Sequence, residues 1–337
     1  MKEKLILPSD YKTSLDIMET EEAIKLLKDF FENNLSKALN LRRVSAPLFV
    51  KPETGLNDNL NGIERPVAFD VKGFNGGTVE VVQSLAKWKR MALKRYGFRV
   101  GRGLCTDMYA IRRDEELDNL SSVYVDQWDW EKVIRKENRD TETLLKTVSS
   151  IYDVFKRAES YICSVYPKLS KMLPDKIFII TAQELEDLYP GLTPKQREEA
   201  ITREKKAVFL MKIGGLLKSG IKHDERAPDY DDWELNGDII FWYPILNKPF
   251  EISSMGIRVD EFSLVKQLKT AGCEDRLNMK FHRDLIEGKL PYTIGGGIGQ
   301  SRLFMFLLNK AHIGEVQASV WPEDVVEACA DANIAIL

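Results

Sequence analysis

Polar side chains alternate along one short segment in a pattern that could form the floor of a catalytic site. The run from Tyr124 to Trp130 is predicted as a strand, and within it Gln127 and Asp129 share one face. Both side chains could therefore point into a single pocket. The same alternation is also typical of a solvated sheet face, and periodicity alone leaves both interpretations open.

A cluster of glycines stands immediately before the last predicted helix. Four of the five residues from Gly295 to Gly299 are glycine, and Arg302 follows in the first turn of an apolar helix. Glycines let the backbone approach another group closely, and an arginine near the positive end of a helix dipole suits a nucleotide phosphate. The string is neither a Walker A loop nor a Rossmann fingerprint, since it lacks their spacing.

Acidic residues are concentrated in a third region. Asp229, Asp231 and Asp232 lie close together, and Asp238 and Glu251 follow nearby in the sequence. Carboxylate oxygens are the ligands that magnesium prefers, so this region could hold a divalent ion. A bare run of aspartates is more often a polar loop.

Composition limits the classes of function that fit. The 337 residues carry 49 basic and 52 acidic side chains, a net charge of −3 that disfavours an extended nucleic-acid surface. No histidine pair or CxxC pair has a metal-binding spacing, so we expect reduced thiols and chemistry based on Asp, Arg, Lys and Gln. The sequence shows no export signal, and its longest apolar run, Ile239 to Leu246, is less than half a membrane span. We therefore expect a cytoplasmic protein with no membrane contact.

The predicted elements form one domain over residues 1–337, because no repeat or linker divides the chain. Strands occur in hairpins with helices between and after them, which predicts an α+β fold with an antiparallel sheet. The helix opened by Thr20 has apolar residues at spacings of three and four, namely Ile24, Leu27, Phe31, Leu35 and Leu39. The other predicted helices are Ser84–Tyr96, Leu144–Ile162, one that begins with a capping box of Thr193 and Gln196, Glu261–Lys269, Leu277–Glu287 and Gln300–Leu308. The predicted strands are Val44–Val50, Val67–Val71, Val79–Gln83, Met108–Arg112, Val123–Trp130, Ala207–Ile213, Asp238–Tyr243 and Phe250–Ser253.

These segments together resemble the catalytic core of class II aminoacyl-tRNA synthetases. The first helix with Arg43–Pro47 resembles that family's dimer-interface motif. Arg112 and Asp114, followed by Val123–Trp130, resemble its second motif, and Gly295–Arg302 resembles its third. The resemblance implies a class II-like antiparallel sheet flanked by helices, and a homodimer.

A closer resemblance covers essentially the whole chain and is to the ammonia-dependent asparagine synthetases. It implies synthesis of L-asparagine from L-aspartate, ammonia and ATP through a β-aspartyl adenylate, with release of AMP and pyrophosphate. The strings that carry it are GLNDNLNG from Gly55, QSLAKWKR from Gln83, YVDQWDWE from Tyr124, RAPDYDDW from Arg226, FEISSMGIR from Phe250 and TIGGGIGQSRL from Thr293.

The resemblance also assigns the groups that would bind ATP. Arg112 and Arg302 are implied to brace the phosphates, where an arginine can offset the charge that grows as pyrophosphate departs. Asp238 and Glu251 are implied to bind Mg²⁺ as well as contributing to the ATP site.

Two spacings carry the implied aspartate site. Aspartyl-tRNA synthetases have a lysine five residues after the serine of a Gln-Ser pair and an arginine seven after a metal-binding glutamate. Both gaps recur, from Ser84 to Lys89 and from Glu251 to Arg258. Because the β-carboxylate must react here, we infer that the cationic pair holds the α-carboxylate. Asp129 would then face the amine and Gln127 the reacting carbonyl, and the remaining implied substrate-binding residues are Ser84, Asp231, Ser253 and Ser254.

Asp58 is not explained by a generic class II core. The resemblance of its loop to the asparagine synthetases places it at the second half-reaction, where a carboxylate could bind ammonium and accept its proton. An aspartate that caps a tight loop beside Asn57 and Asn59 is the competing interpretation.

Two other functions compete with asparagine synthesis. An aspartyl- or asparaginyl-tRNA synthetase-like enzyme is disfavoured by the near-neutral charge and by the lack of an anticodon-binding module before Thr20. A non-catalytic amino-acid sensor is disfavoured because the chain retains the phosphate-bracing arginines. Glutamine as the nitrogen donor is disfavoured because Lys2 occupies the second position and no cysteine precedes Cys105.

Overall fold

The structure is a computed structural model that describes residues 5–58, 60, 64–74 and 76–337. Its helices are α1 Ile17–Leu39, α2 Ala86–Arg95, α3 Thr141–Val165, α4 Ala182–Leu188, α5 Pro194–Lys205, α6 Glu261–Thr270, α7 Lys280–Ile286, α8 Gln300–Leu307 and α9 Glu323–Asp331. Its strands are β1 Leu41–Arg43, β2 Phe49–Val50, β3 Ala68–Asp70, β4 Thr78–Val81, β5 Gly103–Ile111, β6 Tyr124–Val133, β7 Phe178–Thr181, β8 Ala207–Met211, β9 Asp231–Tyr243, β10 Lys248–Arg258 and β11 Thr293–Gly299.

An eight-stranded sheet in the order β1-β5-β6-β11-β10-β9-β8-β7 organises the molecule, beside a small sheet β2-β4-β3. The six inner strands of the large sheet pair antiparallel, as the sequence predicts. Each edge strand, β1 and β7, instead runs parallel to its neighbour. Parallel neighbours need a long crossover connection, which hairpin patterns along the sequence cannot indicate.

One face of the large sheet packs against helices α1, α3 and α8. Trp128 and Trp130 of β6 are fully buried there, and the ring of Phe31 stacks on Trp128 with 4.7 Å between ring centres. The predicted apolar face of α1 is confirmed by the buried side chains Leu27, Phe31, Leu35 and Leu39. The helix begins before Thr20 because Asp16 caps it together with Glu19.

The opposite face of β6 carries the polar side chains. Asp129 and Glu131 are buried, so the solvated-face interpretation is wrong for this strand. The neighbouring strand β11 supplies glycine opposite both of them. A Cβ atom on Gly295 would lie 1.9 Å from Glu131 Oε2, and one on Gly297 would lie 2.4 Å from Gln127 Oε1. The glycine cluster is therefore a central strand that leaves room for polar side chains.

Several local predictions are confirmed and others need correction. Thr193 and Gln196 form the predicted capping box at the start of α5. Of the strand predicted over Val44–Val50, only Phe49–Val50 is a strand, β2, and residues 44–48 are irregular. The strands β1, β7 and β11 and the helices α4 and α9 had no prediction. Of the helices in the described ranges, none is long and apolar enough to cross a bilayer.

Candidate active site

A polar pocket of about 790 Å³ opens on the glycine face of the large sheet. Its walls come from β6, β10, β11, the start of α2 and the loops before β3, β6 and β9. Every predicted site residue except Asp238 lines it, namely Asp58, Ser84, Lys89, Arg112, Gln127, Asp129, Asp231, Glu251, Ser253, Ser254, Arg258 and Arg302. Asp238 lies beside the pocket and contacts Arg226, which is part of the lining.

Lys89 and Asp129 form a buried ion pair in the floor of the pocket. Lys89 Nζ donates to Asp129 Oδ1 at 2.5 Å and to the carbonyl oxygen of Gly296 at 2.9 Å. Asp129 Oδ2 is buried and has no hydrogen-bond partner among the described residues. The lysine is thus held in place, and one carboxylate oxygen is left to receive a donor from a ligand.

Arg258 is held by two buried carboxylates. Its Nε and Nη2 atoms donate to Glu131 at 3.0 and 2.7 Å, and its Nη1 atom contacts Asp231. Burial alone would raise the pKa of Glu131, but the Arg258 guanidinium outweighs it and holds that pKa below its ordinary value. Burial raises the pKa of Asp231 in spite of Arg258. Glu131 therefore fixes the plane of the guanidinium, and Asp231 occupies its remaining end.

Serine side chains support the site at three points. Ser84 Oγ accepts the N–H of Ala86 at 3.2 Å at the start of α2. Ser253 Oγ donates to the carbonyl oxygen of Gly297 at 2.9 Å and ties β10 to β11. Ser254 lies beside Asp238, where its hydroxyl acts to lower the pKa of that carboxyl group.

Asp58 reaches the pocket from the loop before β3 and is buried. Its Oδ1 atom accepts the N–H of Leu60 at 3.0 Å, whereas Oδ2 has no hydrogen-bond partner among the described residues. Gln83 donates from its side-chain amide to the carbonyl oxygen of Asp58 at 2.8 Å. Burial raises the pKa of Asp58, and nearby Lys87 acts in the opposite direction. The loop-capping interpretation thus accounts for Oδ1 and leaves Oδ2 for chemistry; Asn59, named in that interpretation, lies outside the described residues.

A buried charge cluster stands behind Asp58. Asp229 Oδ2 accepts from Lys87 Nζ at 3.0 Å, from His282 Nε2 at 2.9 Å and from Arg276 Nη1 at 3.3 Å. These donors lower the pKa of Asp229 although its burial opposes them. Asp229 therefore pairs with basic side chains of the protein itself.

The aspartate run does not form a metal site by itself. Asp231 pairs with Arg258, and Asp232 pairs with Arg139 at 2.8 Å. Across residues 5–58, 60, 64–74 and 76–337, no group of three or more His, Cys, Asp or Glu side chains is arranged to hold a metal ion. The described residues therefore do not support the metal interpretation of this run, and the polar-loop interpretation is also wrong, because Asp231 and Asp232 begin β9 and all three aspartates are buried.

Arg112 and Arg302 lie at the other end of the pocket. Arg302 donates from Nη1 to the carbonyl oxygen of Glu251 at 2.9 Å. Arg112 Nε is buried and has no hydrogen-bond partner in the described part of the chain. Burial raises the pKa of nearby Glu115, and both arginines oppose that shift. Two guanidinium groups therefore face one region of the pocket.

Asp238 and Glu251 lie on adjacent strands near these arginines. Asp238 Oδ2 contacts Arg226, and Oδ1 is buried without a partner in the described ranges. Burial raises the pKa of Asp238 to about 7, with Glu251 acting in the same direction and Arg226 against it. Mg²⁺ is commonly held by one or two carboxylates together with substrate phosphates. The free oxygen of Asp238 and the exposed carboxylate of Glu251 fit such a donor set.

The sequence assigned no role to Glu131 or to three residues of the pocket lining. Glu131 lies behind the pocket, where it holds Arg258, and it continues the alternation of Gln127 and Asp129, so the strand pattern could have found it. The three lining residues lie in loops or at a helix start, where periodicity carries no signal: Lys195, Arg226 and Tyr230.

Comparisons with known proteins agree on one family. The family model described as aspartate-ammonia ligase matches residues 18–333. A protein of Ruminiclostridium cellulolyticum named aspartate–ammonia ligase is 69% identical over 333 residues, which cover 99% of each chain. A protein of Clostridium tetani with the same name is 64% identical over 335 residues, covering 99% of this chain and 98% of the relative.

Solved structures with a similar fold are far more distant in sequence. Asparaginyl-tRNA synthetase of Entamoeba histolytica superposes with a TM-score of 0.62 at 14% identity, covering 88% of this chain and 67% of that one. The Pyrococcus horikoshii enzyme complexed with asparaginyl-adenylate gives 0.63 at 16% identity, covering 90% and 70%. These similarities confirm the class II synthetase-like fold and, at such identities, nothing further.

Proposed function

Because this chain belongs to the aspartate–ammonia ligase family, we propose that the pocket described above is where it makes L-asparagine through a β-aspartyl adenylate. ATP-dependent synthesis of L-asparagine from L-aspartate and ammonia is the reaction of this family, and the chain is a ligase of asparagine biosynthesis. The observation that carries the assignment of the site is that one pocket contains two separate pairs of cations. Lys89 and Arg258 contact Asp129 and Glu131 in the second half of β6. Arg112 and Arg302 lie where β6 begins.

In the first step, an oxygen of the β-carboxylate attacks the α-phosphorus of ATP. The new bond joins that oxygen to phosphorus, and the bond from phosphorus to pyrophosphate breaks. Arg112 and Arg302 stabilise the charge that develops on the phosphates. When bound, Mg²⁺ would neutralise part of the phosphate charge. Asp238 and Glu251 are the residues that would hold it.

The proposed orientation of aspartate follows from the groups in the floor. The α-carboxylate is placed between Lys89 and Arg258, and it replaces Asp231 at the Nη1 end of the guanidinium. Asp129 Oδ2, which lacks a partner in the described ranges, accepts from the substrate ammonium group. Gln127 then lies beside the reacting carbonyl. The Nη1 end of Arg258, the Lys89 ammonium group and the buried acceptor on Asp129 together bind the two charged groups on the α-carbon.

In the second step, ammonia attacks the carbonyl carbon of the adenylate. Asp58 Oδ2 binds the ammonium ion and accepts one proton, which leaves a lone pair on nitrogen. The carbon–nitrogen bond forms, and the carbon–oxygen bond to AMP breaks. The second proton, which the nitrogen loses as it becomes an amide, leaves with the phosphate of AMP. Burial and the absence of a described partner support this role for Oδ2.

An isotope experiment tests the adenylate. Aspartate labelled with ¹⁸O in its β-carboxylate is incubated with ATP, magnesium and ammonium, and the products are analysed by mass spectrometry. We expect one labelled oxygen in each AMP, with unlabelled pyrophosphate, because the attacking oxygen stays on the α-phosphorus. ADP and labelled phosphate would contradict an adenylate. A dependence of AMP formation on added tRNA would favour the synthetase-like alternative.

The proposal also concerns the partners and the cellular location of the enzyme. We propose that nucleic acid is not a partner, which the net charge of −3 supports. The cysteines at 105, 163, 273 and 329 are free thiols, as is usual in a reducing compartment, and this supports a cytoplasmic location.

A homodimer is proposed on the resemblance of α1 and Arg43–Pro47 to the class II dimer motif, and an apolar surface nearby supports it. Phe49 and Phe69 of the small sheet are about 40% exposed and pack edge to face, with 5.6 Å between ring centres. Tyr109 and Ile111 of β5 are also exposed. Exposed apolar groups of this kind mark interaction surfaces.

We expect light scattering to give twice the 38.6 kDa mass of one chain. Phe69→Asp should shift the protein to a monomer, because burying a charge in an apolar interface is costly. Phe178→Asp is the matched control, since Phe178 is 37% exposed at the opposite edge of the large sheet. A wild-type monomer with full activity would contradict the dimer.

A further inference from the structure

Arg226 occupies an unusual position between the pocket and the proposed metal ligands. It lies in the loop before β9 and lines the pocket, and its Nη2 atom contacts Asp238 Oδ2. Burial acts to lower its pKa, but the carboxylates of Asp238 and Glu251 outweigh burial and hold it above its ordinary value. Arg226 is therefore the cation in direct contact with Asp238, and it also interacts with the negative charge of Glu251.

The backbone that follows Arg226 is held by two other elements. Trp233 Nε1 donates to the carbonyl oxygen of Ala227 at 3.3 Å, and Gln267 Nε2 donates to that of Pro228 at 3.0 Å. These bonds tie the chain immediately after Arg226 to β9 and α6. We therefore expect a movement of the guanidinium away from Asp238 to be a change of side-chain rotamer and not of this backbone.

The charges around Arg226 indicate that binding of a divalent ion and ATP would trigger such a movement. Arg226 is in direct contact with Asp238, and Lys195 lies near Glu251. A divalent ion bound beside both carboxylates would come close to the Arg226 guanidinium, and the two cations would repel each other. The phosphates of ATP lie within the same pocket in the proposed site and offer Arg226 a better partner.

We propose that Arg226 is the counter-ion of Asp238 and that it moves to the pyrophosphate end of ATP when magnesium and nucleotide bind. This inference rests on the proposed function, and specifically on Asp238 and Glu251 as metal ligands. Arg226 would then keep the metal site closed to free divalent ions and join Arg112 and Arg302 at the phosphates.

Manganese binding without nucleotide, measured by electron paramagnetic resonance, tests the first half of the inference. Arg226→Ala should bind Mn²⁺ about tenfold more tightly than wild type, because the competing cation is gone. The second half is tested by calorimetry with pyrophosphate and magnesium, where Arg226→Ala should bind pyrophosphate about tenfold more weakly. Lys218→Ala is the control, because it removes an exposed cation from the same loop outside the pocket lining. Arg226→Gln repeats both measurements in a variant that keeps a hydrogen-bond donor.

The Asp238→Asn variant separates failure of this inference from failure of the proposed metal site. In the Arg226→Ala background, Asp238→Asn should abolish the gain in Mn²⁺ affinity. If Asp238→Asn weakens Mn²⁺ binding but Arg226→Ala and Arg226→Gln leave it unchanged, the metal site stands and the role of Arg226 is overturned. If Asp238→Asn has no effect in either background, the metal assignment is wrong and the inference falls with it.

Discussion

Replacing Arg258 with methionine is expected to destabilise the folded protein by about 3–5 kcal/mol at pH 7, the usual cost of removing one partner of a buried ion pair. Glu131 and Asp231 would keep their burial and lose their shared cation. The variant should also lose aspartate binding, because the proposed contact to the α-carboxylate is gone. Urea denaturation and aspartate titration measure the two effects.

The loss of stability in Arg258→Met should depend on pH. In wild type, the pKa of Glu131 is held below its ordinary value, so this group's contribution is lost as pH falls through the folded-state pKa. Without Arg258, burial would raise that pKa above its unfolded value. The folded state would then bind a proton before the unfolded state does, and the variant should regain stability as pH falls from 7 toward 5.

A triple variant provides the control for this prediction. Arg258→Met combined with Glu131→Gln and Asp231→Asn leaves no buried carboxylate uncompensated, so we expect most of the lost stability to return. Aspartate binding should not return. If the single variant were as stable as wild type, or if its stability fell with decreasing pH, the account of this charge cluster would be wrong.

Replacing Asp58 with asparagine should separate the two half-reactions. The rate of asparagine formation is expected to fall by about 100-fold or more, the usual contribution of a positioned general base. Adenylate formation should be nearly unchanged, because Asp58 acts only after pyrophosphate has left. An amide at Oδ1 can still accept the N–H of Leu60, so the loop should keep its conformation.

Aspartate-dependent exchange of pyrophosphate into ATP measures the first half-reaction, and asparagine release in single turnover measures the second. Asp175→Asn is the matched control. It is the same chemical change at an exposed carboxylate outside the pocket that pairs with Lys156, so neither half-reaction should change by more than about twofold. An equal fall in both half-reactions of Asp58→Asn would indicate a structural role, and unchanged asparagine formation would exclude the base.

Local sequence patterns predicted the helices whose start and buried face are determined by residues close together in the chain. The apolar spacing of α1 and the Thr193 capping box are confirmed because each is complete within a few turns of chain. The parallel edges were missed because β1 meets β5, and β7 meets β8, only after a crossover. The strand nature of Gly295–Gly299 was also missed, since glycine is poor in strands and this strand depends on the neighbours that use its open face.

The site residues also divide into those that a local sequence pattern predicts and those that depend on contacts between distant residues. The polar pair Gln127 and Asp129 followed from alternation, and the resemblance supplied most other lining residues. Glu131 belongs to the same alternation but acts through Arg258, which lies 127 positions away. The contact between Arg226 and Asp238 joins a loop to a strand and has no sequence pattern. Pairings of this kind become visible only when the fold brings the groups together.

The position of β11 has a consequence for the order in which the chain can fold. This strand joins β6 to β10, yet it is the last strand along the chain. During synthesis, two part-sheets can form first, each with an unpaired inner edge that exposes backbone N–H and C=O groups. A nascent chain that ends before Thr293 already contains every assigned ATP- and aspartate-binding side chain except Arg302. It nevertheless has no active site, since the halves that carry those side chains are joined only when the glycine strand is inserted between them.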